Sequence, residues 1–261
     1  MNKQDVINAY NLYERQNLDV PGCKKLTTRE LTRFVAPQDY GSFISYHQFD
    51  EQSTAAIIER EIEFFTQEKR SFEWKTYLSD TPTNLTKQLI ARGFCAEEAE
   101  SFMVFDLPKI TQPLETRNLA VEVADEAGIR DAIDVQEKVW GGDLSGHYHH
   151  LVTSKKHDPE ALRIYVIYQN GEPVSSAWIV FNSDSPFAGI WGGSTVEAYR
   201  GNGYYTELLH IRINLAKQYG REYLMIDASK MSRPIVERHG FVFIDQTTPY
   251  IYNVSKTAEI K

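Results

Sequence analysis

Between Phe187 and Gly220 the chain changes character twice. "FAGIWGGSTV" is a strand-like run, "RGNG" breaks it, and "YYTELLHIRINLAKQYG" then has helical spacing up to a terminal glycine. The two runs before it, "LRIYVIY" and "PVSSAWIVFNS", are β-rich and flank an Asn-Gly turn, the signature of a tight hairpin. A hairpin, a third strand and then a glycine-broken entry into a long helix define an α+β domain built on a meander. Two alternatives fall at this point. The hairpin excludes the βαβ unit that a dinucleotide fingerprint requires, and G-x-G-x-x-G is absent. No Gly-Lys-Ser/Thr follows, so the turn is not a P-loop.

The rest of the C-terminal half extends the pattern. "LAVEVA" reads as a strand. "DEAGIRDAIDVQEKVWG" reads as a helix with Ile129, Ile133, Val135 and Val139 inward, and "HYHHLVTSK" as a short second helix. The helix after Gly203 is expected to turn Tyr204, Leu208, Ile211, Leu215 and Tyr219 to the core. "EYLMIDAS" is a strand, "SRPIVERHG" a short helix capped by Ser232, and "FVFID" and "YIYNV" two closing strands. The N-terminal half offers a helix around Tyr10–Gln16, strands in "FISYHQF", "FEWKTYL" and "SFMVFDL", and helices in "STAAIIEREIEFFTQEK" and "NLTKQLIARG". "PKITQPLETRN", with two prolines and no period, reads as a linker. A repeat joins the halves. Asp80 and Asp227 each follow a strand, Gly93-Phe94 and Gly240-Phe241 each follow a helix, and the offset is the same (227 − 80 = 240 − 93 = 147). At that offset the glycine turn maps onto "STAAII", which has no glycine.

The 261 residues suffice for two domains. A net charge of −8 argues against a nucleic-acid partner, whose phosphates need a basic face. Two cysteines, Cys23 and Cys95, far apart in sequence, suggest neither structural zinc nor a disulfide framework. The apolar runs are strand-sized and the polar N-terminus has no apolar signal core, so the expectation is a cytoplasmic protein without a membrane segment.

The glycine turn has a chemical reading beside the plain one of connecting strand to helix. The first N–H groups of a helix lack internal partners and carry partial positive charge, which makes a phosphate site. Gly201 and Gly203 let backbone approach, and Arg200 adds a forked cation. In this order of elements, Arg200-Gly201-Asn202-Gly203-Tyr204-Tyr205 resembles the acetyl-CoA loop of the GNAT N-acetyltransferases, Arg/Gln-x-x-Gly-x-Gly/Ala. Gly240-Phe241 after the last helix is a further habit of that family. The resemblance covers about residues 119–254, and the N-terminal half looks like the degenerate first copy of tandem members.

The resemblance implies two tandem GNAT folds, each a mixed, mostly antiparallel sheet flanked by helices. The domains would be 1–107, degenerate, and 119–261, the acetyltransferase, joined by a linker at 108–118. It implies transfer of acetyl from acetyl-CoA to an amine of a small molecule or peptide, with no metal. Ser194, Thr195 and Val196 would lie along the pantetheine, Arg200 to Thr206 around the diphosphate, and Ser232 against the cofactor. Two departures stand out: Tyr205 replaces a small motif residue, and Val236 occupies the position of a tyrosine that protonates the leaving thiolate. Candidates for proton transfer are Tyr250 and Tyr252, on one face of the last strand, and Asp143 in the acceptor-lining loop. His147, His149 and His150 in "HYHH" read as a solvated helix start. Trp140 and Trp191 read as core residues or acceptor-pocket walls. Gly192-Gly193 is either a plain bulge or a seat that aims backbone N–H groups at an oxyanion. A non-catalytic acyl-CoA-binding or regulatory module of the same fold is the alternative, and transfer from an aminoacyl-tRNA a third reading that the net acidity disfavours.

Overall fold

The computed structural model describes residues 1–38 and 41–254. The chain runs α1 (Lys3–Tyr10), β1 (Lys24–Thr27), β2 (Leu31–Val35), β3 (Ser42–His47), α2 (Thr54–Gln67), β4 (Phe72–Tyr77), α3 (Leu85–Ala91), β5 (Cys95–Ala96) and β6 (Glu100–Asp106). It continues β7 (Ala120–Val123), α4 (Glu126–Trp140), α5 (Ser145–His157), β8 (Leu162–Gln169), β9 (Glu172–Val180), β10 (Phe187–Thr195), α6 (Tyr204–Gln218), β11 (Tyr223–Ala228), α7 (Arg233–Arg238) and β12 (Val242–Tyr252). Among the described residues no helix is long and apolar enough to cross a membrane.

The chain forms two compact units, Met1–Met103 with Asp227–Lys261, and Val104–Ile226. The first thus takes in α7 and β12, which the sequence assigned to a C-terminal domain beginning at 119. The residues of that expected domain beyond 254 lie outside the described ones.

In the first unit the strand order is β1-β2-β3-β4-β12-β6, with β5 beside β12. β3 and β4 pair in parallel, because α2 carries the chain over between them. β12 is antiparallel to β4 from Thr247↔Tyr77 to Tyr252↔Phe72. It is one strand where two were expected, and the ladder continues through Pro249 opposite Lys75. The core of Ile57, Ile58, Phe65, Phe72, Trp74 and Phe94 gathers under α2. Phe65 stacks on Phe72 with ring centroids 4.1 Å apart. Glu61 of α2 is fully buried and paired with Arg33. The short strands β1 and β2 were not foreseen.

In the second unit the order is β11-β10-β9-β8-β7. Here β10 and β11 pair in parallel, and α6 makes the crossover. The hairpin β8–β9 turns at Asn170 (φ 53°) and Gly171 (φ 83°), the left-handed pair that suits the strand twist. Asp125 starts α4 by accepting from the Gly128 N–H at 2.8 Å, and Ile129, Ile133, Leu151, Ile164 and Val166 form the core beneath it. The buried face of α6 differs from the expected one. Glu207, Leu208, Leu209, Arg212, Ile213 and Ala216 point inward, while Ile211 and Leu215 are half-buried. Two charged side chains occupy the core stripe, and a hydropathy reading rotates the helix away from them.

Candidate functional site

The loop before α6 is built by conformation. Arg200 is extended, Gly201 has φ 81° and Gly203 φ 78°, a region costly for any residue with a Cβ. Gly203 is the N-cap, and no side chain caps the helix, so its first N–H groups face outward from a glycine nest. Asn202 Nδ2 donates to Tyr199 O at 3.0 Å and Arg200 Nε to Thr195 O at 3.2 Å, which pins the turn. A second cation stands here. Arg117 Nη2 donates to Asn202 O at 2.8 Å and lies 3.1 Å from where a Cβ on Gly203 would be.

Arg117 belongs to the stretch expected to be a linker. Within the second unit that stretch is held to α6. The buried Glu207 carboxylate accepts from the N–H groups of Arg117 (2.8 Å) and Leu119 (3.2 Å). Asn214 bonds both the N–H and the carbonyl of Leu114 at 2.8 Å. Amide partners 100 positions apart leave no mark on local composition.

Upstream of the loop, β10 carries a bulge. Its register with β9 goes from Trp191↔Trp178 to Ser194↔Ser176, so three steps on β10 face two on β9. Gly192 takes φ 59°, and a Cβ there would fall 1.9 Å from the Trp178 ring, so only glycine fits. A buried amide holds the bulge from the α4 side. Gln136 Nε2 donates to Gly192 O at 2.6 Å and to Ser176 Oγ at 2.7 Å, and Gln136 Oε1 accepts from Ser194 Oγ at 2.9 Å. Trp140 Nε1 donates to Ser194 Oγ at 3.0 Å. Arg212 of α6 lies against the same strand, and Tyr205 in the first turn of α6 covers Gly193. Burial pushes the Tyr205 phenol up.

The other expected site residues divide. Ser194 turns its side chain to Gln136, Thr195 Oγ1 bonds Ser175 at 2.8 Å, and Val196 N–H donates to Val174 O at 2.9 Å, which commits that donor to the sheet. Tyr204, Tyr205 and Thr206 form the half-buried first turn of α6. Ser232 belongs to the first unit, and its hydroxyl lies 3.4 Å from Ser229 O without capping α7. Tyr250 and Tyr252 also belong to the first unit, in its core; Tyr252 packs 5.1 Å from Phe94 and 5.9 Å from Phe72, so packing accounts for them. Asp143 is exposed and accepts from Ser145 N–H at 2.8 Å at the start of α5; those bonds to Ser145 hold its carboxyl below the usual range, the wrong direction for a base near neutrality. Trp140 and Trp191 are not core residues: they are 57% and 36% exposed. Val236 is fully buried.

Gln136, Arg117 and Arg212 were missed. Gln136 had a signal, since it continues the apolar stripe Ile129–Ile133 of α4 as a polar residue at a core position. Arg212 had the same one, four positions after Leu208.

The second unit thus joins a glycine turn at an uncapped helix start to a bulged strand. Residues 130–241 match the family model described as Acetyltransferase (GNAT) family, and the chain carries a GNAT acetyltransferase domain in that segment. No curated protein matched the chain. Among solved structures, a GCN5-related N-acetyltransferase from Kribbella flavida is similar over 88% of this chain and 89% of its own, with TM-score 0.66 and 14% identity. A tandem GNAT protein from the clavulanic acid biosynthesis pathway covers 91% of this chain and 85% of its own, with TM-score 0.59 and 9% identity. A GCN5-related N-acetyltransferase from Sphaerobacter thermophilus gives 0.59 at 12% identity, over 96% of this chain and 85% of its own. At these identities the likeness is one of fold, and it agrees with tandem GNAT architecture.

Proposed function

We propose that the chain is an N-acetyltransferase that moves acetyl from acetyl-CoA to an amine of a small molecule or peptide. The observation that carries this is the mouth of α6: Gly201 and Gly203 both left-handed, no side-chain cap, and Arg117 and Arg200 at its rim. The nest N–H groups and the two guanidinium groups would hold the diphosphate. The donor supplies a thioester; the bulged β10 backbone supports it, and the exposed Trp140 and Trp191 rings offer apolar walls for an acceptor. As the amine nitrogen bonds to the acetyl carbon, the C–S bond breaks and the amine proton passes through water to the thiolate. The acidic net charge favours a small or peptide acceptor over nucleic acid, and with free Cys23 and Cys95 it suits a cytoplasmic location.

The second reading is a non-catalytic acyl-CoA-binding module. Tyr250 and Tyr252 sit in a core, the Asp143 carboxylate is turned to the Ser145 N–H and Val236 replaces the family's acid, which favours it. One experiment separates the two. Calorimetry and thermal shift with millimolar acetyl-CoA should show binding. Thiol release should then appear with one member of an amine panel. Binding without release supports the module, and no binding ends both readings.

A further inference from the structure

Arg212 is 1% exposed, and its charge is uncompensated. Its Nε donates to Leu208 O at 2.9 Å, inside its own helix. Its Nη1 has only long contacts, to Trp191 O at 3.4 Å and Trp178 O at 3.5 Å, and its Nη2 has no partner. The groups that raise its proton affinity are phenols, Tyr205 and Tyr165. Burial pulls the guanidinium down to about 10. A buried cation is normally paired, and leaving one unpaired costs several kcal/mol. Its retention calls for a use.

Its position supplies one. The carbonyl of Trp191 faces Arg212, and the next, of Gly192, faces Gln136. These are the two peptides of the bulge, where the register skips Gly192 and Gly193. A peptide is planar and trans, so holding its carbonyl on one side fixes its N–H on the other. The Trp191 carbonyl fixes the Gly192 N–H, and the Gly192 carbonyl fixes the Gly193 N–H. A Cβ on Gly193 would stand 3.0 Å from the Tyr205 ring and 3.6 Å from Arg212 Nη2, so the absent side chain lets both approach the bulge.

We propose that Arg212 is a positioning residue: with Gln136 it clamps the bulge carbonyls so that the Gly192 and Gly193 N–H groups stand as fixed donors to the acyl carbonyl, and its charge favours the oxyanion that develops there. The proposal rests on the acetyl-CoA reading. It deepens that reading by naming what polarises the acyl group. Preorganised donors of this kind lower the barrier without reorganising during reaction.

The test needs no knowledge of the acceptor. Acetyl-CoA labelled with ¹³C at the carbonyl is bound to the wild-type chain and to Arg212→Met, and its carbonyl stretch is read by difference infrared spectroscopy. In the wild type the bound stretch should lie below that of free acetyl-CoA. In Arg212→Met most of that lowering should vanish while acetyl-CoA affinity changes less than threefold. Tm should hold or rise, because an apolar side chain replaces an unpaired buried charge. Thiol release, by hydrolysis or to an amine, should fall tenfold or more. Arg212→Lys, which keeps charge and loses the fork, should lie between. An unchanged stretch in Arg212→Met overturns the proposal while leaving the acetyl-CoA reading intact, and so does a Tm loss that tracks the activity loss. If Arg212→Met does not fold, Arg212→Lys and Arg212→Gln carry the comparison, and a wild-type stretch in both overturns it. Failure of the wild type to bind acetyl-CoA overturns both the proposal and the reading beneath it.

Discussion

The two crossover helices, α2 and α6, have the same place in their units and opposite mouths. Each links a pair of parallel strands, over 14 and 15 residues. No side chain caps α2 either, but a carboxylate stands just before its first turn. Asp50 Oδ1 accepts from Ser53 N–H at 2.8 Å and Ser53 Oγ at 2.6 Å, and Thr54 Oγ1 donates to Asp50 O at 2.9 Å. Those bonds hold the Asp50 carboxyl below its ordinary range. At α6 two left-handed glycines replace them, and the nearest carboxylate, Glu207, is turned to the backbone of Arg117 and Leu119. A carboxylate at a helix start stabilises the helix and repels phosphate. A phosphate would meet a carboxylate at the start of α2 and glycine backbone at the start of α6.

Four experiments can break that contrast. The largest effect is expected from Glu61→Ala in the first unit, which strands Arg33 beside a buried gap. Loss of one partner of a buried pair costs about 3–5 kcal/mol. Denaturant unfolding should show that loss while acetyl-CoA affinity, read by calorimetry, stays the same; a parallel loss of affinity would mean that the first unit is not a separate scaffold.

Acid should act on the first unit too. His47 is buried, its Nδ1 accepts from Trp74 Nε1 at 3.3 Å, and desolvation holds it down to about 4 although Asp80 lies 3.7 Å away. Between pH 6.5 and 4 the unfolded chain therefore takes a proton that the folded chain refuses, and stability falls as pH falls, by roughly 3 kcal/mol in all. Unfolding curves at pH 7, 5.5 and 4 should be flatter in His47→Gln by about that amount. An equal slope in both would assign the acid loss to other groups.

Next comes Gly203→Val. It forces a β-branched residue to φ 78° and a Cβ to 3.1 Å from Arg117 Nη2. Acetyl-CoA affinity should drop by about 30-fold, roughly 2 kcal/mol, with a Tm loss of a few degrees. Full affinity in a folded variant would reduce the glycines to turn formers. The smallest effect is Arg117→Ala, an exposed phosphate contact worth about 1 kcal/mol, or a fivefold loss that 0.5 M salt should erase.

Much of this was legible beforehand. The Asn-Gly hairpin and the strand–RGNG–helix passage rest on local rules, and the local geometry follows them: Asn170 and Gly171, and Gly201 and Gly203, are all left-handed. What escaped depended on partners far away in sequence. β1 and β2 are short and polar at their turn, and only β3 makes them strands. The segment at 108–118 looks like a tether until Asn214 and Glu207 are in place. Gln136 and Arg212 broke an apolar stripe, and a polar residue in a core stripe marks a carbonyl to be held.

The placement of β12 has a consequence for biosynthesis. Thr76 Oγ1 donates to Thr248 O, 172 positions further on, and β4 has β12 as its antiparallel neighbour. At about 5–20 residues per second, a ribosome needs roughly 10–30 s to make the strand that β4 awaits. The N-terminal unit is therefore begun first and finished last. During translation its β4 edge is open, and a chain stopped after β11 would leave it so, a defect in the first unit caused by a lesion far downstream in the message.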